Sequence, residues 1–181
     1  MKYFLAILLP EPIAAEVTAL KQEMKTRYNS GQALYAPPHI TLHMPFEWNE
    51  SKESAMFKPF QKKLSGFPNL EIGLNDFDAF PPRVIFINPD PSRKLIELYK
   101  KIGEIAREDL RLLNQDRLNK PFHPHVTIAF RDLKRERFEE AWEEFKSRKY
   151  HRSFICKSVW LLKKTDTRWI PTAEISFEAS A

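Results

Sequence analysis

The chain carries one short pattern twice. Pro38-His39-Ile40-Thr41-Leu42 returns as Pro124-His125-Val126-Thr127-Ile128, and each copy opens an apolar run of strand length. Residues i and i+2 of a strand share a face. His39 and Thr41 therefore point one way while Ile40 and Leu42 point the other. His125 and Thr127 stand against Val126 and Ile128 in the same manner. Each copy predicts an imidazole beside a hydroxyl, anchored from behind by core side chains. Two such presentations, using two of only five histidines, predict a paired acid–base site.

The repeat extends beyond the motifs. The spacing predicts a strand over 3–9 buried on both faces, then a helix over 12–28 with Ile13, Val17, Leu20, Met24 and Tyr28 on one stripe. After the first motif strand (39–46) come a helix near 51–64, with Met56, Phe57, Phe60 and Leu64 inward, and strands near 70–78 and 83–88. A helix over 93–113 follows, then the second motif strand (125–130), a helix near 135–148 and closing strands near 153–163 and 171–178. Both halves, 1–80 and 81–181, thus run strand, helix, motif strand, helix, strand. Their first strands end in matching junctions, Pro10-Glu11-Pro12 and Pro89-Asp90-Pro91, and proline with an acid beside it suits a first helical turn. The offset between copies is 79 residues at these junctions and 86 at the histidines.

Duplicated halves pack about an approximate two-fold axis, by analogy with symmetric dimers. The expected architecture is therefore one α+β domain of two pseudo-two-fold-related lobes, each a mostly antiparallel sheet with helices, with strand exchange between them allowed. His39 and His125 are expected to face one another across the cleft, and the long connections 29–38 and 114–124 to rim it.

Composition limits the alternatives. At 181 residues, 43% hydrophobic and 13% aromatic, the chain can bury a real core. The apolar start, Met1 to Leu9, is cut short by Pro10 and Pro12 and has no small-residue cleavage site, so it reads as a strand rather than a signal peptide. No run approaches membrane-spanning length, and the expected compartment is the cytoplasm. The single cysteine, Cys156, excludes an internal disulfide framework and a multi-cysteine zinc site, and its apolar surroundings predict a buried thiol. Phosphate-loop and dinucleotide readings fail, because the four glycines form no Gly-rich turn. The net charge of +5 leans mildly toward anionic partners. The basic clusters at Lys62-Lys63, at Lys134 to Arg137, and at Lys163-Lys164 with Arg168 are scattered and each reads as a solvated face.

Histidine is the one side chain whose unperturbed pKa lets it take and give a proton near neutrality. Two of them on opposite sides of a reacting centre suit an in-line displacement, one removing a proton from the nucleophile and the other protonating the leaving oxygen. The threonine hydroxyls can donate to the equatorial oxygens of a phosphoryl group held between the imidazoles. Such a site needs neither metal nor covalent intermediate. The structural alternative is two hydrogen-bonded histidines on strands. A metal hydrolase is a further alternative, with His39, His43, His123 and His125 converging.

The duplicated His-x-Thr-x pattern resembles the two-histidine (2H) phosphoesterase superfamily, and within it the LigT-like 2′-5′ RNA ligase and cyclic phosphodiesterase branch. The resemblance covers both motifs, the element order and the Phe80-Pro81-Pro82-Arg83-Val84-Ile85-Phe86 stretch, which is similar to a joining segment of that branch. It implies a bilobal α+β fold with the site between the lobes. It also implies metal-independent chemistry without cofactors at a ribose 2′ phosphodiester: opening of a 2′,3′-cyclic phosphate, or hydrolysis or ligation of a 2′-5′ linkage. His39 and His125 would be catalytic, and Thr41 and Thr127 would hold the phosphate. Relatives place an arginine soon after the second motif, and strand parity puts Arg131 on the face of His125 and Thr127. By the same parity His43 shares the face of His39 and Thr41. Tyr35 and Trp169 are candidates to stack on a nucleobase, and Arg83 and His123 are further candidate substrate contacts. The implied partner is an RNA terminus or a small cyclic or 2′-5′ nucleotide, bound by a monomer away from any membrane. A catalytically silent nucleotide-binding domain of the same fold is the remaining alternative.

Overall fold

The computed structural model describes residues 1–112 and 121–178. Its elements, in chain order, are β1 (Lys2–Leu8), α1 (Ile13–Tyr28), β2 (His39–Glu47), α2 (Glu53–Leu64), β3 (Leu70–Phe80) and β4 (Val84–Pro89). They continue with α3 (Arg93–Glu108), β5 (Val126–Ala129), α4 (Arg135–Phe145), β6 (His151–Cys156), β7 (Ser158–Lys164) and β8 (Trp169–Ser176). Short 3-10 turns lie at Gln32–Tyr35 and Glu50–Lys52. Residues 114–120 of the second expected rim connection lie outside the described residues.

The strands form two four-stranded sheets, ordered β2-β1-β7-β8 and β5-β4-β3-β6. Every pairing is antiparallel. The fold is α+β and duplicated: in each sheet a motif strand lies at one edge beside the first strand of its own half. The halves exchange strands: β3 of the first half lies between β4 and β6 in the second sheet, while β7 and β8 of the second half join β1 in the first. Each sheet therefore draws strands from both halves of the chain.

One core unites the sheets and the four helices. Ile13, Val17, Met24 and Tyr28 of α1, Met56, Phe60 and Leu64 of α2, and Leu95, Leu98, Ile102 and Ile105 of α3 all bury into it. Strand β1 is buried on both faces, as its unbroken apolar run requires. Tyr3, Leu5 and Ile7 enter the main core, while Phe4 and Ala6 join Leu162, Leu8, Trp160 and Trp169 in a smaller cluster on the opposite face. Cys156 is buried, and burial pushes its thiol up to about 12, which leaves it a packing residue rather than a nucleophile.

Two expectations need correction. The strand expected over 153–163 is two strands in different sheets, separated at Lys157. The buried positions change parity there, from Phe154 and Cys156 to Val159 and Leu161, as a chain turning out of one sheet into another must. In α1 the fully buried face runs through Lys21, with Leu20 only partly buried beside it. Among the described residues no helix is long and apolar enough to cross a membrane.

Candidate active site

Both motifs are built alike to the level of single hydrogen bonds. In the first sheet Ala6 pairs with Thr41 and Leu8 with His39; in the second Phe86 pairs with Thr127. Ile40 and Leu42, like Val126 and Ile128, point back into the core. His39 Nδ1 lies 2.7 Å from the Pro37 carbonyl, and His125 Nδ1 lies 2.8 Å from the His123 carbonyl. A carbonyl oxygen only accepts, so Nδ1 carries the proton and donates in each case. That commits Nδ1 to the backbone and makes Nε2 the nitrogen of each ring at which a proton is taken up or given away. Aromatic rings brace both imidazoles: Phe4 stands 5.0 Å from His39, and Phe80 and Phe86 stand 5.4 and 5.5 Å from His125.

The alternation breaks at the same place in both copies. Neighbours Ala6 and Leu5 pair with Thr41 and His43, and neighbours Phe86 and Ile85 pair with Thr127 and Ala129. Each motif strand thus carries one extra residue just after its threonine, a β-bulge. The bulge turns the second residue after the threonine away from the cleft and toward the core. His43 is accordingly buried and packs edge-on against Phe46, opposite Leu5, which corrects its expected place on the face of His39.

His39, Thr41, His125 and Thr127 line one cleft of about 760 Å³. Tyr35, Trp169 and Arg131 line it as well. Arg131 reaches it from the loop after β5, in the left-handed region at φ 60°, and not by strand parity. Arg83 and His123 do not line it. Arg83 lies in the exposed turn between β3 and β4, and the exposed His123 ring packs on Phe80 and Phe86 while its carbonyl holds His125. Among the described residues no three His, Cys, Asp or Glu side chains are disposed to hold a metal ion, so the four-histidine convergence does not form.

Two residues escape motif reading. Lys21 is 2% exposed yet lines the cleft, and its ammonium donates to the Ala36 carbonyl at 3.0 Å. Burial pulls it down to about 8. Its signal in the sequence is a lysine four residues from Val17 and three from Met24, in the middle of a buried stripe. Asp132 accepts from Ser30 Oγ at 2.8 Å and from the backbone N–H groups of Gly31 and Gln32 at 2.8 and 2.9 Å. It pins the 29–38 rim connection to the loop of the second motif, and nothing in its own sequence neighbourhood announces that. His39 is driven down to about 4, chiefly by burial, with Lys21 and His125 adding repulsion to its charged form. At neutral pH it is an unprotonated imidazole whose Nε2 can accept a proton.

Residues 9–168 match the model of the 2′-5′ RNA ligase superfamily, and the chain belongs to that family. An Oceanobacillus iheyensis protein that carries the name phosphoesterase is 30% identical over 142 residues, 77% of this chain and 76% of that one. The RNA 2′,3′-cyclic phosphodiesterase of Thermotoga maritima is 23% identical over 135 residues, 71% of this chain and 69% of its own. Among solved structures, a Thermus thermophilus protein superposes with a TM-score of 0.68 at 17% identity, covering 100% of both chains. Escherichia coli LigT complexed with 3′-AMP superposes with a TM-score of 0.63 at 21% identity, covering 98% of each. At these identities the structures establish the fold.

Proposed function

We propose that this protein opens ribose 2′,3′-cyclic phosphates by two-histidine general acid–base catalysis without a metal. The observation that carries the reading is the matched pair of Nδ1-to-carbonyl hydrogen bonds, which commits Nδ1 in two imidazoles on the walls of one cleft and reserves Nε2 for proton transfer. With the cyclic phosphate between them, His39 Nε2 takes a proton from water as its oxygen attacks phosphorus. His125, which enters the step as the imidazolium, gives its Nε2 proton to the departing ribose oxygen, and exchange with solvent afterwards returns His39 to the base and His125 to the acid. One P–O bond forms, one breaks, and water has been added across the ring. The hydroxyls of Thr41 and Thr127 donate to the nonbridging oxygens, where negative charge grows in the transition state. The Thermotoga maritima relative, named for this activity, supports the choice of substrate. The LigT structures with 3′-AMP, ATP and NADP+ support a nucleotide in the cleft.

The test is hydrolysis of a 2′,3′-cyclic mononucleotide by the purified protein. Ring opening with a bell-shaped pH profile, unaffected by EDTA, is expected. A protein that binds the nucleotide and leaves the ring closed is the silent binding domain, and activity lost to EDTA and restored by zinc belongs to a metal hydrolase.

A further inference from the structure

Among the described residues Lys21 is a buried cation without an anion. Its side chain comes off the inner face of α1 between Val17 and Met24, it is 2% exposed, and among the described residues its hydrogen-bond acceptor is the Ala36 carbonyl. An ammonium has three donors. Among the described residues no carboxylate forms a salt bridge with it, whereas Lys63, Lys149 and Lys163 all have acidic partners. Burying an unpaired charge is strongly unfavourable, and a leucine or methionine here would complete the apolar stripe without that cost. The lysine opens onto the same cleft as His39 and Thr41 and lies close enough to His39 to repel its protonated form. A neighbour that disfavours imidazolium serves a base well. A cation held beside it with two donors to spare also serves an incoming anion.

We propose that Lys21 is a substrate-contacting residue whose ammonium binds a nonbridging phosphoryl oxygen on the His39 side of the cleft. The inference rests on the phosphoesterase reading for its substrate, though not for its ligand chemistry, which is that of a phosphate. In the attack on phosphorus the nonbridging oxygens pass from one shared negative charge toward two, and a fixed cation in a water-poor site acts on that increase. The two threonines supply hydrogen bonds and Lys21 supplies the charge. The depressed lysine pKa, about 8, agrees with a site completed by an anion: phosphate binding restores the counter-charge and draws the group back toward its ordinary range.

Binding of inorganic phosphate, measured calorimetrically on the intact protein, separates this role from catalysis. Lys21→Met keeps the length and apolar body of the side chain and fits the stripe. Lys21→Gln keeps a donor for the Ala36 carbonyl while removing the charge. Both variants should bind phosphate at least about tenfold more weakly than the unmodified protein. In the Lys21→Met protein the His39 ring, followed by NMR, should titrate at higher pH. Unchanged phosphate affinity in Lys21→Gln, with loss only in Lys21→Met, would show that Lys21 is a tether for the rim loop and overturn the proposal. Loss of phosphate binding in both variants, in a protein whose parent never opens a cyclic phosphate, would leave the anion site standing and remove the catalytic reading.

Discussion

At the scale of single residues the proposed reaction gives the two histidines different burdens despite their matched hydrogen bonds. Replacing either His39 or His125 by alanine should lower kcat for cyclic phosphate opening by roughly 10²–10⁴-fold, the usual contribution of a general acid or base. Thr41→Ala and Thr127→Ala each remove one hydrogen bond and should cost about tenfold, as steady-state kinetics will show. The acid limb of kcat/KM should lie well below the ordinary histidine range, because His39 stays unprotonated down to about pH 4. Lys21→Met should move that limb upward. The same shift acts on stability. The unfolded chain takes up a proton near 6.5 and the folded His39 resists until about 4, so stability is lost as pH falls through that window. His39→Gln should flatten this part of a denaturation-versus-pH curve. The motif residues were legible because a duplicated His-x-Thr pattern in strand alternation leaves one arrangement of faces. Lys21 was not, because a lysine within an apolar helix stripe is ordinarily a solvated neighbour and its burial depends on the cleft beyond it.

At the scale of elements, periodicity places the four α-helices of the described residues, although α3 ends at Glu108 and leaves Leu112 outside the helix expected over 93–113; what it otherwise misses is where alternation fails. The two bulges after Thr41 and Thr127 insert one residue each and turn His43 into the core, and no composition signal marks a bulge when both candidate faces tolerate the residue. The passage from β6 to β7 carries a signal in the parity change around Lys157, visible only once two sheets are suspected. Asp132 belongs to this scale, since it fixes one element against another. Its three hydrogen bonds hold the 29–38 connection, which carries Tyr35 and the Ala36 carbonyl, against the loop in which Arg131 adopts its left-handed conformation. A non-glycine residue at positive φ costs of order 1 kcal/mol or more and persists where its surroundings over-determine it. Asp132→Ala should therefore lower the unfolding free energy by about 2 kcal/mol and reduce kcat/KM about tenfold through a higher KM, since the rim and Arg131 lose their common anchor. Denaturant titration alongside kinetics checks both, and a variant with intact KM would confine Asp132 to a stabilising role.

At the scale of the whole molecule, the distribution of charge decides how much of a nucleic acid the protein can hold. A protein that tracks an RNA backbone neutralises several phosphates, and its affinity falls steeply with salt. Among the described residues each basic cluster has part of its charge taken up by acids. Lys163 is taken up by Glu50 and Glu53, Arg135 and Arg137 pair with Glu139 and Glu140 along α4, and Arg27, Arg148 and Arg152 pair with Glu144, Glu23 and Glu16 across the packed elements. Three cations that form no salt bridge among the described residues, Lys21, Arg131 and Lys164, line the cleft, while Lys62, Lys134 and Arg168 are unpaired members of the clusters outside it. Much of the positive charge elsewhere thus holds elements together, while at the site Trp169, with Lys164 over its ring at 5.7 Å, and the exposed Tyr35 offer aromatic surface for a base. A cleft of about 760 Å³ accommodates one or two nucleotides. Recognition should accordingly centre on one phosphate and its own nucleotide, with the rest of any RNA contacting little. The measurement is kcat/KM for a 2′,3′-cyclic mononucleotide and for an oligonucleotide bearing the same end, each across a salt series. Similar values with shallow salt slopes are expected. A large preference for the oligonucleotide that vanishes with added salt would mean that cations outside the cleft form a track, and would place the substrate among RNA termini read along their length.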